Sequence, residues 1–160
     1  MTLARTPQSP ARLSITRKDD LRTQFGALCW RFHKGKIQVA LVTTRKKGRW
    51  TIPKGWPVND ATPSESAAIE AYEEAGLKGQ ITDICIGLYT DTRRNDRTAP
   101  RAVVIFPLAV THCLTEWPEH HKRRRRWVGR RKAAALVDNA ELGLILEHFD
   151  PKRLIQPPVH

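Results

Sequence analysis

The sequence predicts a single α/β domain that combines mixed strands with two or three helices. Apolar runs typical of strands recur along the chain, and one helix between them, over residues 63 to 75, carries signals at both ends. A second helical pattern closes the chain, from residue 133 to residue 149. The 160 residues suit one domain, and 40% hydrophobic with 28% charged residues is ordinary for a globular protein.

The domain is expected to span residues 19 to 150, between a flexible basic arm at 1 to 18 and a C-terminal tail at 151 to 160. The arm is rich in Pro, Ser, Thr and Arg and lacks the apolar region of a secretory signal. Its faint likeness to a transit peptide is the less favoured alternative. No apolar run approaches the roughly 20 residues needed to cross a membrane, so we expect no membrane partner.

Three cysteines, Cys29, Cys85 and Cys113, lie far apart in apolar stretches and show no CxxC spacing. Their odd number argues against a disulfide framework. We therefore expect buried, reduced thiols in a cytoplasmic protein.

The first strands are expected at residues 24 to 32 and 36 to 44, joined by a hairpin turn that contains Gly35. A short extended piece follows at residues 50 to 53. The loop after it is dense in Gly, Pro, Asn and Asp, which favours an irregular connection.

Two more strands are expected in the second half of the chain. Ile84, Ile86 and Leu88 alternate with other residues at the period of a half-buried strand. Residues 102 to 110 form a nearly continuous apolar run and predict a central strand, in which Pro107 would need a bulge or an edge position.

The helix over residues 63 to 75 has clear boundaries in the sequence. Thr62 can cap its first turn, Pro63 suits the first helical position, and Glu65 falls where a capping box places its acid. Gly76 supplies the stop.

Three glutamates, Glu70, Glu73 and Glu74, lie within an arc of about 100° on this helix. Their like charges repel, acids near a helix C-terminus oppose the macrodipole, and the helix contains no Lys or Arg. A divalent cation would remove this conflict, and oxygen ligands favour Mg²⁺ or Mn²⁺, whereas a solvated acidic face is the alternative. The opposite side is expected to pack on the sheet through Ala68, Ala71, Tyr72 and Ala75.

Basic residues crowd the loop that precedes this helix. Gly55 lies where the backbone could approach a ligand closely, with Arg45, Arg49 and Lys54 nearby in the sequence. Mg²⁺ is usually held by a few carboxylates together with substrate phosphates. We therefore expect a polyphosphate site and take these three basic residues as candidates to bind its phosphates.

Positive charge is concentrated further along the chain, where eight basic residues and no acid lie from Lys122 to Lys132. The net charge of the whole chain is +12, which attracts polyanions. If this run is extended, alternate arginines point to opposite faces. Arg123 and Arg125 are the candidates for phosphate contact.

The stretch from Gly55 to Leu77 resembles the Nudix box, written G-x5-E-x7-R-E-U-x-E-E-x-G-U with U an aliphatic residue. Its positions are matched by Gly55, Glu70, Ala71, Glu73, Glu74, Gly76 and Leu77. Two positions depart from it. Ala61 replaces the first glutamate, and Ile69 replaces an arginine that in the family usually orients a metal-binding glutamate. A weaker likeness over most of residues 20 to 150 points to the branch of diphosphoinositol-polyphosphate and diadenosine-polyphosphate hydrolases.

The resemblance implies an α/β/α sandwich with a mixed β-sheet, and an enzyme that hydrolyses a phosphoanhydride. It also implies Mg²⁺, for which Mn²⁺ could substitute, held by four residues: Gly55 through its carbonyl, Glu70, Glu73 and Glu74. Glu70 is the first choice of general base. Glu116 or Glu119 is a rival base or an additional metal ligand.

The predicted function is Mg²⁺-dependent hydrolysis of an anionic polyphosphate small molecule, of the diadenosine-polyphosphate or diphosphoinositol-polyphosphate type. Two alternatives stay open. Removal of pyrophosphate from RNA 5′ ends would suit the basic surface, but RNA recognition calls for stacking aromatics and a long phosphate track, so nucleic acid is the less favoured partner. A polyanion-binding module with weak catalysis would suit Ala61 and Ile69. The sequence makes no prediction of oligomeric state.

Overall fold

Residues 22–91 and 100–155 are described by the structure, which is a computed structural model. The strands are β1 (Arg22–His33), β2 (Lys36–Thr43), β3 (Trp50–Thr51), β4 (Lys54–Gly55), β5 (Leu77–Ile81), β6 (Gly87–Asp91), β7 (Arg101–Cys113) and β8 (Arg125–Gly129). The helices are α1 (Pro63–Ala75), α2 (Arg130–Leu136), α3 (Ala140–Glu147) and a 3₁₀ helix (Pro151–Leu154). The predicted arm and the last five residues lie outside the described ranges.

The described strands form one mixed sheet, in which β1 and β7 run parallel and the remaining pairs are antiparallel. Its main path follows the order β3-β2-β1-β7-β5, while β4 pairs with β1, β6 with β7 and β8 with β2. The predicted hairpin joins β1 and β2. Its turn residues Lys34 and Gly35 have φ of 50° and 75°, as a tight two-residue hairpin turn requires.

The sheet separates two apolar layers, because successive strand residues point to opposite faces. On one face Ala27 and Cys29 of β1 pack with the alanines of α1. On the other face Leu28 packs with Leu142 and Leu146 of α3. The α/β/α sandwich with a mixed sheet is therefore confirmed.

Pro107 occupies neither a bulge nor an edge strand, contrary to the sequence-based expectation. On one side of β7, pairing with β6 ends at Ile105 and pairing with β5 begins at Leu108, so Pro107 falls between two partners. Its carbonyl accepts a hydrogen bond from the Thr82 amide at 3.0 Å on this side. Because the N–H and C=O of a strand residue point the same way, the missing donor of Pro107 faces a gap in the ladder.

The strand expected around Ile84, Ile86 and Leu88 is shorter and has the opposite phase. Residues 82–86 are irregular, and β6 begins only at residue 87, where pairing with β7 starts. Within β6, Tyr89 is buried and Leu88 is 52% exposed. The alternation of the two isoleucines therefore does not continue into the strand that follows them.

The closing helical pattern is confirmed as two short helices, with Leu142, Leu146 and Phe149 buried. The predicted C-terminal tail begins with the 3₁₀ helix, Pro151–Leu154. Asp150 caps this helix by accepting from the Lys152 amide at 3.0 Å.

All three cysteines are free thiols. Cys29 is buried as expected, whereas Cys85 and Cys113 are exposed, which corrects the prediction that all three are buried. None of the described helices is long and apolar enough to span a membrane.

Candidate active site

The helix that carries the three glutamates has the boundaries predicted from sequence. It spans Pro63–Ala75, and the Thr62 hydroxyl accepts the Glu65 amide at 3.2 Å. Gly76 ends it in the left-handed region, with a φ of 63°. Local signals at both ends therefore fix where the acidic residues stand.

The buried face of α1 differs from the predicted apolar stripe. Ala67, Ala71 and Ala75 are fully buried at successive i,i+4 positions, and these small side chains let the helix lie close to the sheet. Tyr72, predicted to pack on the sheet, is 38% exposed. Glu74 lies on the buried side instead, with 7% exposure.

Gly55 lies directly against the carboxylate of Glu70. A Cβ atom placed on Gly55 would come within 2.3 Å of Cδ and Oε1 of Glu70. The pairing of Gly55 with Phe25 in the β1–β4 ladder fixes the backbone at this point. The close approach expected at Gly55 is therefore made to the helix carboxylate, which only a residue without a side chain allows.

Burial and neighbouring charge both act on the helix carboxylates. Burial raises the pKa of Glu70 to about 7, the negative charges of Glu74 and Glu73 reinforce the rise, and Arg123 opposes it. Burial also raises the pKa of Glu74, against the lowering effect of Arg123 and Lys54. Glu70 is thus a carboxyl whose proton equilibrium lies near neutral pH.

The carboxylate of Glu74 is held on both oxygens. Its Oε2 accepts from the Lys54 amide at 3.4 Å, and its Oε1 accepts from Nη2 of Arg123 at 3.2 Å. The Trp117 indole donates to the Glu74 carbonyl at 3.0 Å, so the loop before β8 covers this turn of the helix.

Arg123 contacts three separate segments through three different nitrogens. Besides Glu74, its Nε donates to Oε2 of Glu119 at 3.2 Å, and its Nη1 donates to the Thr43 carbonyl at 3.0 Å. The other oxygen of Glu119 is paired with Arg45. Arg123 and Glu119 are each 12% exposed in their side chains, so this cluster is shielded from solvent.

The remaining basic candidates are placed differently from one another. Arg49 is an exposed partner of Asp138, at 3.6 Å. The Lys54 side chain is shielded from solvent, and its Nζ lies 3.8 Å from Oδ2 of Asp91. Arg125 directs Nη1 to the carbonyls of Ala75 and Leu114, at 2.7 and 2.9 Å.

The alternation expected along the arginine run is observed. Arg123 and Arg125 are partly buried, whereas Arg124 and Arg126 are exposed. Both inward arginines are engaged with protein acceptors, however. Phosphate contact by Arg123 or Arg125 stays a prediction.

The two other acidic candidates for the general base, Glu116 and Glu119, lie in different environments. Glu116 is exposed and forms no ion pair within the described ranges. The Glu119 amide donates to the Glu73 carbonyl at 3.1 Å, which anchors its loop to α1. Glu73 itself is exposed. Glu119 thus joins the helix carboxylates, and Glu116 stays at the surface.

The ligand atoms offered by Gly55, Glu70 and Glu74 fit a hard divalent cation, because all of them are oxygens. In residues 22–91 and 100–155 no three acidic, histidine or cysteine side chains converge into a ready metal cage. Mg²⁺ needs no such cage, since it is commonly held by one or two carboxylates with water and substrate phosphates. The Gly55 cradle against Glu70 and the neighbouring Glu74 fit that mode.

Sequence reasoning missed several residues that support the site. Ser66 is buried and accepts the Val58 amide at 3.1 Å, which ties the loop after Gly55 to α1. The Thr43 carbonyl and the Asp91 carboxylate were missed as well, since each acquires its partner only through the fold. Ser66 alone had a visible signal, because it lies one helical turn before Glu70.

Comparisons with known proteins identify similar sequences and similar structures. No protein-family model matches the chain. Nudix hydrolase 21, chloroplastic, from Arabidopsis thaliana is 32% identical over 133 residues, which is 80% of this chain and 66% of that protein. Diphosphoinositol polyphosphate phosphohydrolase 2 from Rattus norvegicus is 27% identical over 112 residues, which is 69% of this chain and 59% of that protein. The chain thus spans about three fifths to two thirds of the length of these curated relatives.

Among solved structures, an Ap4A hydrolase binary complex from C. elegans superposes with a TM-score of 0.62 at 23% identity. The match covers 78% of this chain and 92% of that chain. At this identity the likeness establishes the fold.

Proposed function

The chain belongs to the Nudix hydrolase family, and on this premise we propose that it is a Mg²⁺-dependent pyrophosphohydrolase. Its proposed substrates are small polyphosphates of the diadenosine-polyphosphate or diphosphoinositol-polyphosphate type. The activities named for a structural neighbour, an Ap4A hydrolase, and for a relative, a diphosphoinositol polyphosphate phosphohydrolase, support these two classes. Mn²⁺ is the proposed substitute metal.

The observation that carries this proposal is the contact between the Gly55 backbone and the Glu70 carboxylate. It brings a fixed carbonyl-bearing loop and a carboxyl with a pKa of about 7 to one point. Glu74 follows one turn later on the same helix, and shielded cations stand beside it. Carboxylates next to basic groups are what a divalent ion and a polyphosphate need together.

Each residue of the cluster has a proposed role. Gly55, Glu70 and Glu74 would hold the divalent ion, with exposed Glu73 as an additional ligand. The ion, when bound, neutralises charge on the diphosphate and assists the attack of water on phosphorus. Glu70 is proposed to accept the proton from that water, because its carboxylate lies against the Gly55 backbone, next to the proposed ion. Arg45 is the favoured phosphate contact, since it is 54% exposed beside Glu119.

The proposal also covers the cellular location of the protein and the boundaries of its domain. We propose residues 19 to 150 as the catalytic domain and a cytoplasmic location for it. The mitochondrial and chloroplastic labels belong to the named plant relatives.

Product release from a substrate panel tests the function. The panel contains diadenosine polyphosphates, an inositol pyrophosphate, ADP-ribose, nucleoside triphosphates and triphosphorylated RNA, each with Mg²⁺, with Mn²⁺ and with chelator. Glu70→Gln is the test variant. Glu65→Gln is the matched control, because Glu65 is an exposed acid on the first turn of the same helix.

We expect metal-dependent cleavage of one small-molecule class, lowered about 10²- to 10⁴-fold by Glu70→Gln and little changed by Glu65→Gln. Preferred cleavage of triphosphorylated RNA would replace the substrate class by RNA 5′ ends. Metal-independent binding without cleavage of any substrate would refute the enzyme and favour a polyanion-binding module.

A further inference from the structure

Glu74 and Glu119 form a shielded acidic pair that needs a positive partner. Their side chains are 9% and 12% exposed, and α1 contains no Lys or Arg that could neutralise Glu74 from within the helix. A carboxylate removed from water without a charged partner is strongly destabilising. Arg123, 49 residues after Glu74 in the sequence, donates to both carboxylates, while Arg45 pairs with Glu119.

The geometry of Arg123 indicates a fixed side chain. Three of its five N–H groups are directed at three acceptors on different segments: Glu74 on α1, Glu119 on the loop before β8 and the Thr43 carbonyl at the end of β2. With 12% exposure, its orientation is determined by the protein. A flexible ammonium group could not reproduce this three-way contact.

We propose that Arg123 is a positioning residue, which fixes the carboxylates of Glu74 and Glu119 for divalent-cation binding and does not serve primarily to bind substrate phosphate. This rests on the proposed function, because that function assigns the cation to Glu74, while Glu119 is the additional ligand suggested by the sequence. Replacing a residue that hydrogen-bonds to a metal ligand typically lowers metal affinity or activity by about 10- to 100-fold. Arg123 thereby supplies, from the loop before β8, an orienting guanidinium that Ile69 cannot supply from the helix.

The test measures Mn²⁺ affinity of the substrate-free protein, from the electron paramagnetic resonance signal of free Mn²⁺. Arg123→Met removes the charge and the donors, whereas Arg123→Lys keeps the charge and loses the geometry. Arg126→Met is the matched control, because Arg126 is exposed on β8, three residues after Arg123. Circular dichroism and thermal unfolding verify that each variant is folded.

We expect Arg123→Met and Arg123→Lys to weaken Mn²⁺ binding at least about tenfold, and Arg126→Met to change it less than twofold. In steady-state assays, kcat should fall while KM stays within about threefold, since the substrate contacts remain. Binding of tripolyphosphate to the chelator-treated protein should change no more in Arg123→Met than in Arg126→Met. In a Glu119→Gln background the effect of Arg123→Met on Mn²⁺ affinity should shrink, because the two residues act on each other.

Unchanged or tighter Mn²⁺ binding in Arg123→Met would overturn the positioning role, as would recovery of affinity in Arg123→Lys. Selective loss of metal-free tripolyphosphate binding in both variants would overturn it in favour of direct phosphate contact. If the wild-type protein binds Mn²⁺ but cleaves no member of the substrate panel, the proposed function fails while the positioning role is still decided by the metal titration. If the wild-type protein does not bind Mn²⁺, both fail.

Discussion

Replacement of Gly55 by alanine should separate catalysis from stability. The added Cβ would lie 2.3 Å from Cδ and Oε1 of Glu70 and 2.7 Å from Oε2. Because ordinary carbon contacts begin at about 3.5 Å, the carboxylate must move by about 1.2 Å. Only the end of a flexible side chain has to yield, so the cost is an off-rotamer strain of about 0.5–1.5 kcal/mol.

The expected result of Gly55→Ala is a melting temperature within about 4 °C of wild type and a kcat about 100-fold lower, since a misplacement of 1 Å at a reacting group costs on that order. Mn²⁺ affinity of the substrate-free protein should fall as well. Gly129→Ala is the matched control, because no atom lies within 4 Å of the Cβ added there. Activity of Gly55→Ala within threefold of wild type would refute the inference that the Gly55 backbone sets the position of Glu70.

Three further predictions concern protonation and local structure. The metal-free folded protein should retain a proton on Glu70 up to about pH 7, whereas the unfolded chain loses it near 4.5. The free energy of unfolding should therefore fall as pH rises between these values. Urea titrations at stepped pH measure this slope, and Glu70→Gln should reduce it, leaving the part that comes from the raised pKa of Glu74. Ser66→Ala leaves the partly buried Val58 amide without its acceptor and should destabilise by about 0.5–1.5 kcal/mol in the same titrations, with faster amide exchange at Val58. Thr62→Ala should cost about 1 kcal/mol through loss of the cap, and Thr62→Ser should recover most of it in thermal unfolding.

The sequence predicted the parts of the site that depend on local interactions. The cap at Thr62 and the stop at Gly76 bracket α1 correctly, because each is a contact between neighbouring residues. The phase of the helix placed Glu70, Glu73 and Glu74 on one arc for the same reason. The α/β/α sandwich came from the resemblance of the box residues to a known family.

The sequence could not show which charges meet each other in space. Arg123 and Arg125 carry the same charge and are both partly buried, yet one contacts carboxylates and the other contacts backbone carbonyls. That difference is set by contacts over 49 and 50 residues, which periodicity cannot reveal. Tyr72 was expected to be buried and is exposed, whereas Glu74 is buried. The face of α1 that packs on the sheet is set by the small residues Ala67, Ala71 and Ala75, and not by hydrophobicity alone.

The C-terminal end of α1 explains how a helix with this acidic composition stays folded. Repulsion among its glutamates and the unfavourable helix dipole both act at this end. The segment after β7 satisfies four consecutive carbonyls here. The donors are the Glu119 amide to Glu73, the Trp117 indole to Glu74, Nη1 of Arg125 to Ala75 and the Leu114 amide to Gly76.

The same segment also delivers Arg123 to the Glu74 carboxylate, so stabilisation of the helix end and assembly of the acidic cluster depend on one set of contacts. Position 69 of the helix is an isoleucine and not a basic residue. The helix can nevertheless keep the buried Glu74, because the neighbouring segment provides a positive charge. It follows that perturbing this segment should affect metal binding and the stability of α1 together. Perturbing Gly55 should affect metal binding and kcat, with little change in the stability of α1.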